Sequence, residues 1–121
     1  MPEPATEITY GDVGSKKLYE DDRCIVWEFR LAPGESSPVH KHERDYIMLI
    51  LGGDRIAAHF TEDSAGVYQD LAGQSYTGDV QTGTVKFGAK GSIEAAENIG
   101  TVEYLNYIVE FKDKDRPDDA V

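Results

Sequence analysis

Cysteine is nearly absent: Cys24 is the only one in 121 residues. That excludes a disulfide framework and a cysteine-rich zinc site, and a free thiol suits a reducing cytoplasm. Long apolar runs are also missing. The longest, Tyr46 to Leu51, is strand length, well short of the ~18–20 residues needed to span a bilayer. The first residues, MPEPATEITYGD, lack a basic patch followed by an apolar stretch, so no secretory leader is expected. Positive charge is scarce: 12 Lys and Arg stand against 23 Asp and Glu, a formal charge of −11. An acidic surface repels nucleic acid and anionic membrane. It also argues against a phosphate-rich substrate, whose site would gather Arg and Lys. The expectation is a cytoplasmic protein whose partner is a small, uncharged molecule, with no nucleic acid and no membrane involved. Oligomeric state, monomer or homodimer, is not legible.

Helical periodicity is the last absence. No segment repeats apolar residues at 3.6-residue spacing over three turns. Instead, turn signals recur every few residues: Pro33–Gly34, Gly52–Gly53–Asp54, Gly73, Gly78–Asp79 and Gly88 to Gly91 among them. Between them lie short runs rich in β-branched and aromatic residues. CIVWEFRLA, YIMLIL, RIAAHF, TVKF, IEAA and TVEYLNYIVEF all suit strands. In the first, Ile25, Trp27, Phe29 and Leu31 share one face, the expected core face. Many short strands with Gly-rich turns imply a sandwich or barrel. The length implies one domain over residues 1–121, with an ordered part of about 8–111 and free ends, the C-terminal one the acidic tail 112–121.

The segment GESSPVHKHERDYIMLILG, Gly34 to Gly52, carries the chemistry. His40 and His42 are two apart, and Asp45 follows. On a strand the two imidazoles face one way. The group is either three ligands of a metal or a histidine–carboxylate pair able to move protons.

These residues resemble the first motif of the small cupins: a Gly, five residues, HxH, a short gap, an acidic residue, six residues and a Gly. Gly34, His40, His42, Asp45 and Gly52 fill it, with a gap of two and Asp for the usual Glu. The second motif is matched by Gly83, Gly91 and Asn98, with Ala89 where Pro is usual and Glu94 in place of the last metal-binding His. The resemblance runs from about Cys24 to Phe111. It implies an all-β, cupin-type antiparallel jelly-roll barrel with little or no helix and a pocket inside.

The family's metal positions map onto His40, His42, Asp45 and Glu94, two usual in type and two altered. The resemblance leaves two enzymatic readings open. In one, no cofactor is bound and His42 is a general base, with Asp45 and Glu94 as its orienters and His40 as a second acid/base or donor. A carboxylate beside an imidazole stabilises its charged form and fixes its tautomer. Such a pair suits removal of a proton next to a carbonyl. The altered metal positions and acidic balance are similar to those of small cupin dehydratases that act on a nucleoside aldehyde, such as uridine-5′-aldehyde, in nucleoside-antibiotic biosynthesis. Loss of the C4′ proton would give an enolate, and the 3′-hydroxyl would leave as water. Donors for the enolate oxygen and the substrate would be Lys16, Arg30, Arg55 and Tyr104, with Lys16 leading into a strand across the pocket mouth. In the other reading, His40, His42, Asp45 and Glu94 hold one divalent iron, manganese or zinc ion in an oxygenase or isomerase. His59 on the next strand is a candidate third imidazole, weighed against an ordinary surface residue. A non-enzymatic small-molecule binder is the third possibility.

Overall fold

A computed structural model describes residues 10–112. The chain forms nine strands: β1 Lys16–Glu20, β2 Cys24–Leu31, β3 His40–Lys41, β4 Tyr46–Gly52, β5 Arg55–Phe60, β6 Ser75–Asp79, β7 Val85–Gly88, β8 Ile93–Asn98 and β9 Tyr104–Phe111. A single 3-10 segment, Gly66–Leu71, is the only helical element among the described residues. The free ends expected at 1–7 and 112–121 lie outside the described residues except for Lys112, whose Nζ pairs with Glu20 at 2.7 Å.

The strands make two antiparallel sheets, a five-stranded one in the order β1-β2-β9-β4-β7 and a four-stranded one in the order β3-β8-β5-β6. Alternation places the apolar side chains between them. Ile25, Phe29 and Leu31 on β2 are buried, and Phe29 and Leu31 form one cluster with Tyr46, Ile50, Tyr104 and Ile108 from β4 and β9. The inward face of CIVWEFRLA is therefore the one its parity indicates. Three glycines of the motif stretches, Gly34, Gly83 and Gly91, have positive φ. The motif asparagine, Asn98, is fully buried. It donates to the carbonyls of Leu31 and Val102 and accepts from the Gly100 amide. It ties two loops together.

Two strands carry little sequence signal. Every residue of β1 is exposed, because it is a sheet edge paired only with β2. β6, SYTGD, is also an edge, with four of its five residues exposed. Neither alternates strongly, since neither buries a full face.

Strand β7 inverts the usual pattern. Val85 and Phe87 point outward, 60% and 56% exposed, and Lys86 points inward. The register explains it. Gly88 lies opposite Tyr46 and Lys86 opposite Met48. A Cβ at position 88 would collide with the Tyr46 ring. Glycine must face that ring, and alternation then turns Lys86 to the same side.

Candidate active site

Strand β3 is short, but it meets β8 with His40 opposite Glu94. Just past β3, the His42 amide donates to the Ser92 carbonyl, and the His42 carbonyl accepts from the Gly91 amide. Gly91 makes that contact at a φ of +117°, open to glycine and strained for other residues. The second motif thus fixes the backbone of the first. His40, His42 and Glu94 come together, with one ligand-type atom from each lying within 4.8 Å of the others.

His42 is 2% exposed. Its Nε2 lies 3.2 Å from Glu94 Oε2. Its ring stacks on Tyr46, with centroids 4.1 Å apart and planes 19° apart, and meets His40 edge-on at 4.9 Å. No hydrogen-bond partner reaches its Nδ1 among the described residues. A neutral imidazole that donates Nε2–H to Glu94 carries its lone pair on that Nδ1. His40 is held differently. Its Nδ1 lies 3.2 Å from the Pro38 carbonyl, which accepts the Nδ1 proton and leaves the lone pair on Nε2. Burial, with the neighbouring His42 second, pushes the His40 pKa below the usual histidine value, so the ring is neutral near pH 7.

These three side chains line a cavity of about 340 Å³ between the sheets. That volume lies within the range of small-ligand pockets, roughly 300–1,000 Å³. Most of the wall is apolar, including Phe29, Tyr46, Met48, Ile56, Phe60 and Ile108. The exposed members, Tyr76, Asp79, Gln81 and Lys86, come from β6, β7 and the turn between them. The cavity therefore opens where the two sheets end in edge strands β6 and β7.

Several expected members lie elsewhere. Asp45 is exposed, and its Oδ1 accepts from the Lys90 amide at 2.9 Å. Tyr46 must face inward, so the residue before it faces out. Asp45 braces the 89–91 turn and does not join His40, His42 and Glu94. Lys16 sits on the edge strand β1, away from the mouth, and does not line the cavity. Arg30 is outside too, paired with Glu28 and Glu103, and Arg55 pairs with Asp79 at the rim. Tyr104 does line the cavity, and its hydroxyl accepts from Asn106 at 2.8 Å. His59 points outward between Ser75 and Glu97. Tyr46 and Phe60 line the cavity, whereas Trp27 donates to the buried Glu110.

Lys86 and Asn106 were not anticipated. Lysine in TVKF reads as the solvated position of an ordinary alternating strand. Its inward direction follows only from the fit of Gly88 to Tyr46. Asn106 interrupts an apolar face of β9, and that break in the alternation was the available signal.

No family model matches the sequence, and no curated protein matches it significantly. Solved structures do. A cupin domain from Bordetella pertussis Tohama I is 19% identical over 85% of this chain and 100% of its own, with a TM-score of 0.66. An RmlC-like cupin with a double-stranded β-helix fold from Methanocaldococcus jannaschii is 14% identical, covering 89% and 93%, with a TM-score of 0.60. The polyketide cyclase RemF from Streptomyces resistomycificus is 18% identical, covering 78% and 58%, with a TM-score of 0.55. At these identities the likeness establishes the fold: an antiparallel double-stranded β-helix of the cupin type, as the motif spacing implies.

Proposed function

We propose that the chain is a lyase that removes water from a nucleoside or sugar aldehyde such as uridine-5′-aldehyde, with His42 as general base and Glu94 as the carboxylate that orients it. One observation carries this reading: the 3.2 Å contact between His42 Nε2 and Glu94 Oε2, on a ring 2% exposed, in the wall of a cavity. Glu94 accepts Nε2–H, and the lone pair on Nδ1 takes the proton next to the aldehyde. The C–H electron pair becomes a C=C bond, and the carbonyl π pair moves to oxygen as an enolate. When the enolate collapses, the β-hydroxyl leaves and takes the proton from His42. The products are one unsaturated aldehyde and one water. A neutral His40 beside His42 adds no competing positive charge. The mostly apolar wall and the acidic chain suit an uncharged substrate. A polyketide cyclase on the same fold supports an enzyme rather than a passive binder.

The test is direct. Wild-type protein incubated with uridine-5′-aldehyde should form the dehydrated aldehyde, seen by mass as loss of water. His42→Gln, with the fold intact by circular dichroism, should form none. Turnover near wild type in that variant refutes the role of His42.

A second reading is favoured by the contact of His40 Nδ1 with the Pro38 carbonyl. Metal-ligating histidines commonly hold their second nitrogen this way. His40, His42 and Glu94 could hold one divalent ion, and two imidazoles with one carboxylate suit iron(II), manganese or zinc. Such an ion would supply Lewis-acid polarisation of a carbonyl. Against it, a hydrogen bond from Nε2 to Glu94 leaves that nitrogen no lone pair for an ion.

A further inference from the structure

We propose that Lys86 is the electrostatic partner of the substrate oxygen, holding the negative charge that forms on the carbonyl when the neighbouring proton is removed. The proposal rests on the proposed function in taking the cavity as the reacting site. It goes beyond it in assigning the group that receives the charge.

Four observations place it there. Lys86 lines the cavity, facing inward opposite Met48 between the outward Val85 and Phe87. No hydrogen bond or ion pair engages it among the described residues. In contrast, Lys17, Arg23, Arg30, Arg55 and Lys112 each face a carboxylate. Lys16, Lys41 and Arg44 likewise have no carboxylate partner among the described residues, but none of them lines the cavity. Asp79, the acid on the same rim, is already engaged by Arg55.

Position along the strand supports the role. Gly88 lies under Tyr46, and Tyr46 stacks on His42. Lys86 is two residues from Gly88 on the same face, about 7 Å along the strand. Its flexible four-carbon stem spans such a gap and ends in a compact point charge. A substrate whose C–H lies at His42 thus presents its carbonyl oxygen toward the β7 side of the cavity. The other candidate cations, Lys16, Arg30 and Arg55, are exposed, so among the described residues Lys86 is the only basic residue other than histidine in the cavity wall. A donor aimed at charge that develops during reaction lowers the barrier more than it tightens substrate binding.

The test uses two matched pairs as probes: uridine-5′-carboxylate with its 5′-carboxamide, and benzoate with benzamide. Each carboxylate stands in for the anionic oxygen. Affinities are measured by calorimetry on the wild type, Lys86→Gln and Lys86→Arg. Lys86 is exposed at the rim, so both variants should fold, which circular dichroism verifies. In the wild type the carboxylate should bind about ten-fold tighter than its amide. In Lys86→Gln that ratio should fall to near one, and in Lys86→Arg it should persist. On uridine-5′-aldehyde, Lys86→Gln should lower kcat about ten-fold with KM little changed. A wild-type ratio near one, a ratio unchanged in Lys86→Gln, or no binding by any probe overturns the proposal. The expected ratios with no turnover of uridine-5′-aldehyde leave Lys86 as the anion-binding group and refute the dehydratase. The pattern in the benzoate pair alone supports Lys86 and refutes the nucleoside.

Discussion

Gly88→Ala should damage the site from behind. Gly88 does not have positive φ, so alanine costs nothing there through backbone strain. The whole effect comes from contact. The added Cβ would collide with Cζ, Oη and Cε1 of Tyr46, a ring only 1% exposed that can yield only by moving into the cavity it lines. Overpacking of this kind costs about 1–3 kcal/mol. For a domain of this size that lowers Tm by roughly 3–15 °C. Tyr46 is also the stacking face of His42, so the displaced ring should misplace the imidazole and cut turnover beyond the fraction unfolded. A double-mutant cycle isolates the contact. Tyr46→Ala alone should cost about 3–5 kcal/mol through the cavity it leaves. In the double variant the alanine methyl no longer meets the ring, so the loss should be smaller than the sum by about 1 kcal/mol or more. Urea denaturation of the four proteins gives the coupling. Losses that add within ~0.5 kcal/mol would show that Gly88 and Tyr46 are independent, refuting the idea that this glycine sets the register of β7 and the direction of Lys86.

Other expectations follow from the same geometry. Stability should fall as the medium is acidified from pH 7.5 to 5. The folded His40 binds a proton less readily than an unfolded histidine, whose pKa is about 6.5, so its contribution is complete above that value and is lost as pH drops through the folded one. His40→Asn should flatten this part of the Tm profile, and an unchanged slope would contradict a buried neutral ring. Glu20, lowered to about 2 by Lys112 and Lys17, acts only below its unfolded value near 4.5 and does not confuse that window. Asp45→Ala should lower Tm by a few degrees, because the Lys90 amide loses its acceptor, while turnover stays within about two-fold. Loss of turnover at unchanged Tm would put Asp45 back in the chemistry. Prolonged chelation should leave turnover intact. Activity lost on chelation and restored by one ion would favour the metal reading.

The parts of this fold written in sequence are those where one residue type has one physical use. Alternation in β2 marks the face that is buried, and the glycine spacing marks turns, whereas β4 is one apolar run and β9 buries Asn106 and Glu110 among its inward residues. The meeting of His40, His42 and Glu94 was legible because β3 and β8 pair with the motif residues in register. Asp45 was misplaced because a two-residue gap looks like a ligand spacing, yet the inward Tyr46 forces its neighbour outward. Lys16 was misplaced because an edge strand with no buried face gives no clue to its neighbours. Lys86 was invisible for a deeper reason. Its direction is set by a steric fit between Gly88 and Tyr46, residues 42 positions apart, which no local pattern encodes.

The most direct test of the His42–Glu94 pair is hydrogen exchange at the carbon next to the aldehyde. Chelator-treated protein and uridine-5′-aldehyde in deuterated water, followed by mass spectrometry, report removal of that proton whether or not water is then lost. The wild type should exchange it, Glu94→Gln should slow exchange by roughly 10²–10⁴-fold, and His42→Gln should stop it. No exchange by the wild type, or exchange at the wild-type rate in Glu94→Gln, would contradict the pair as the proton-transfer machinery of this site.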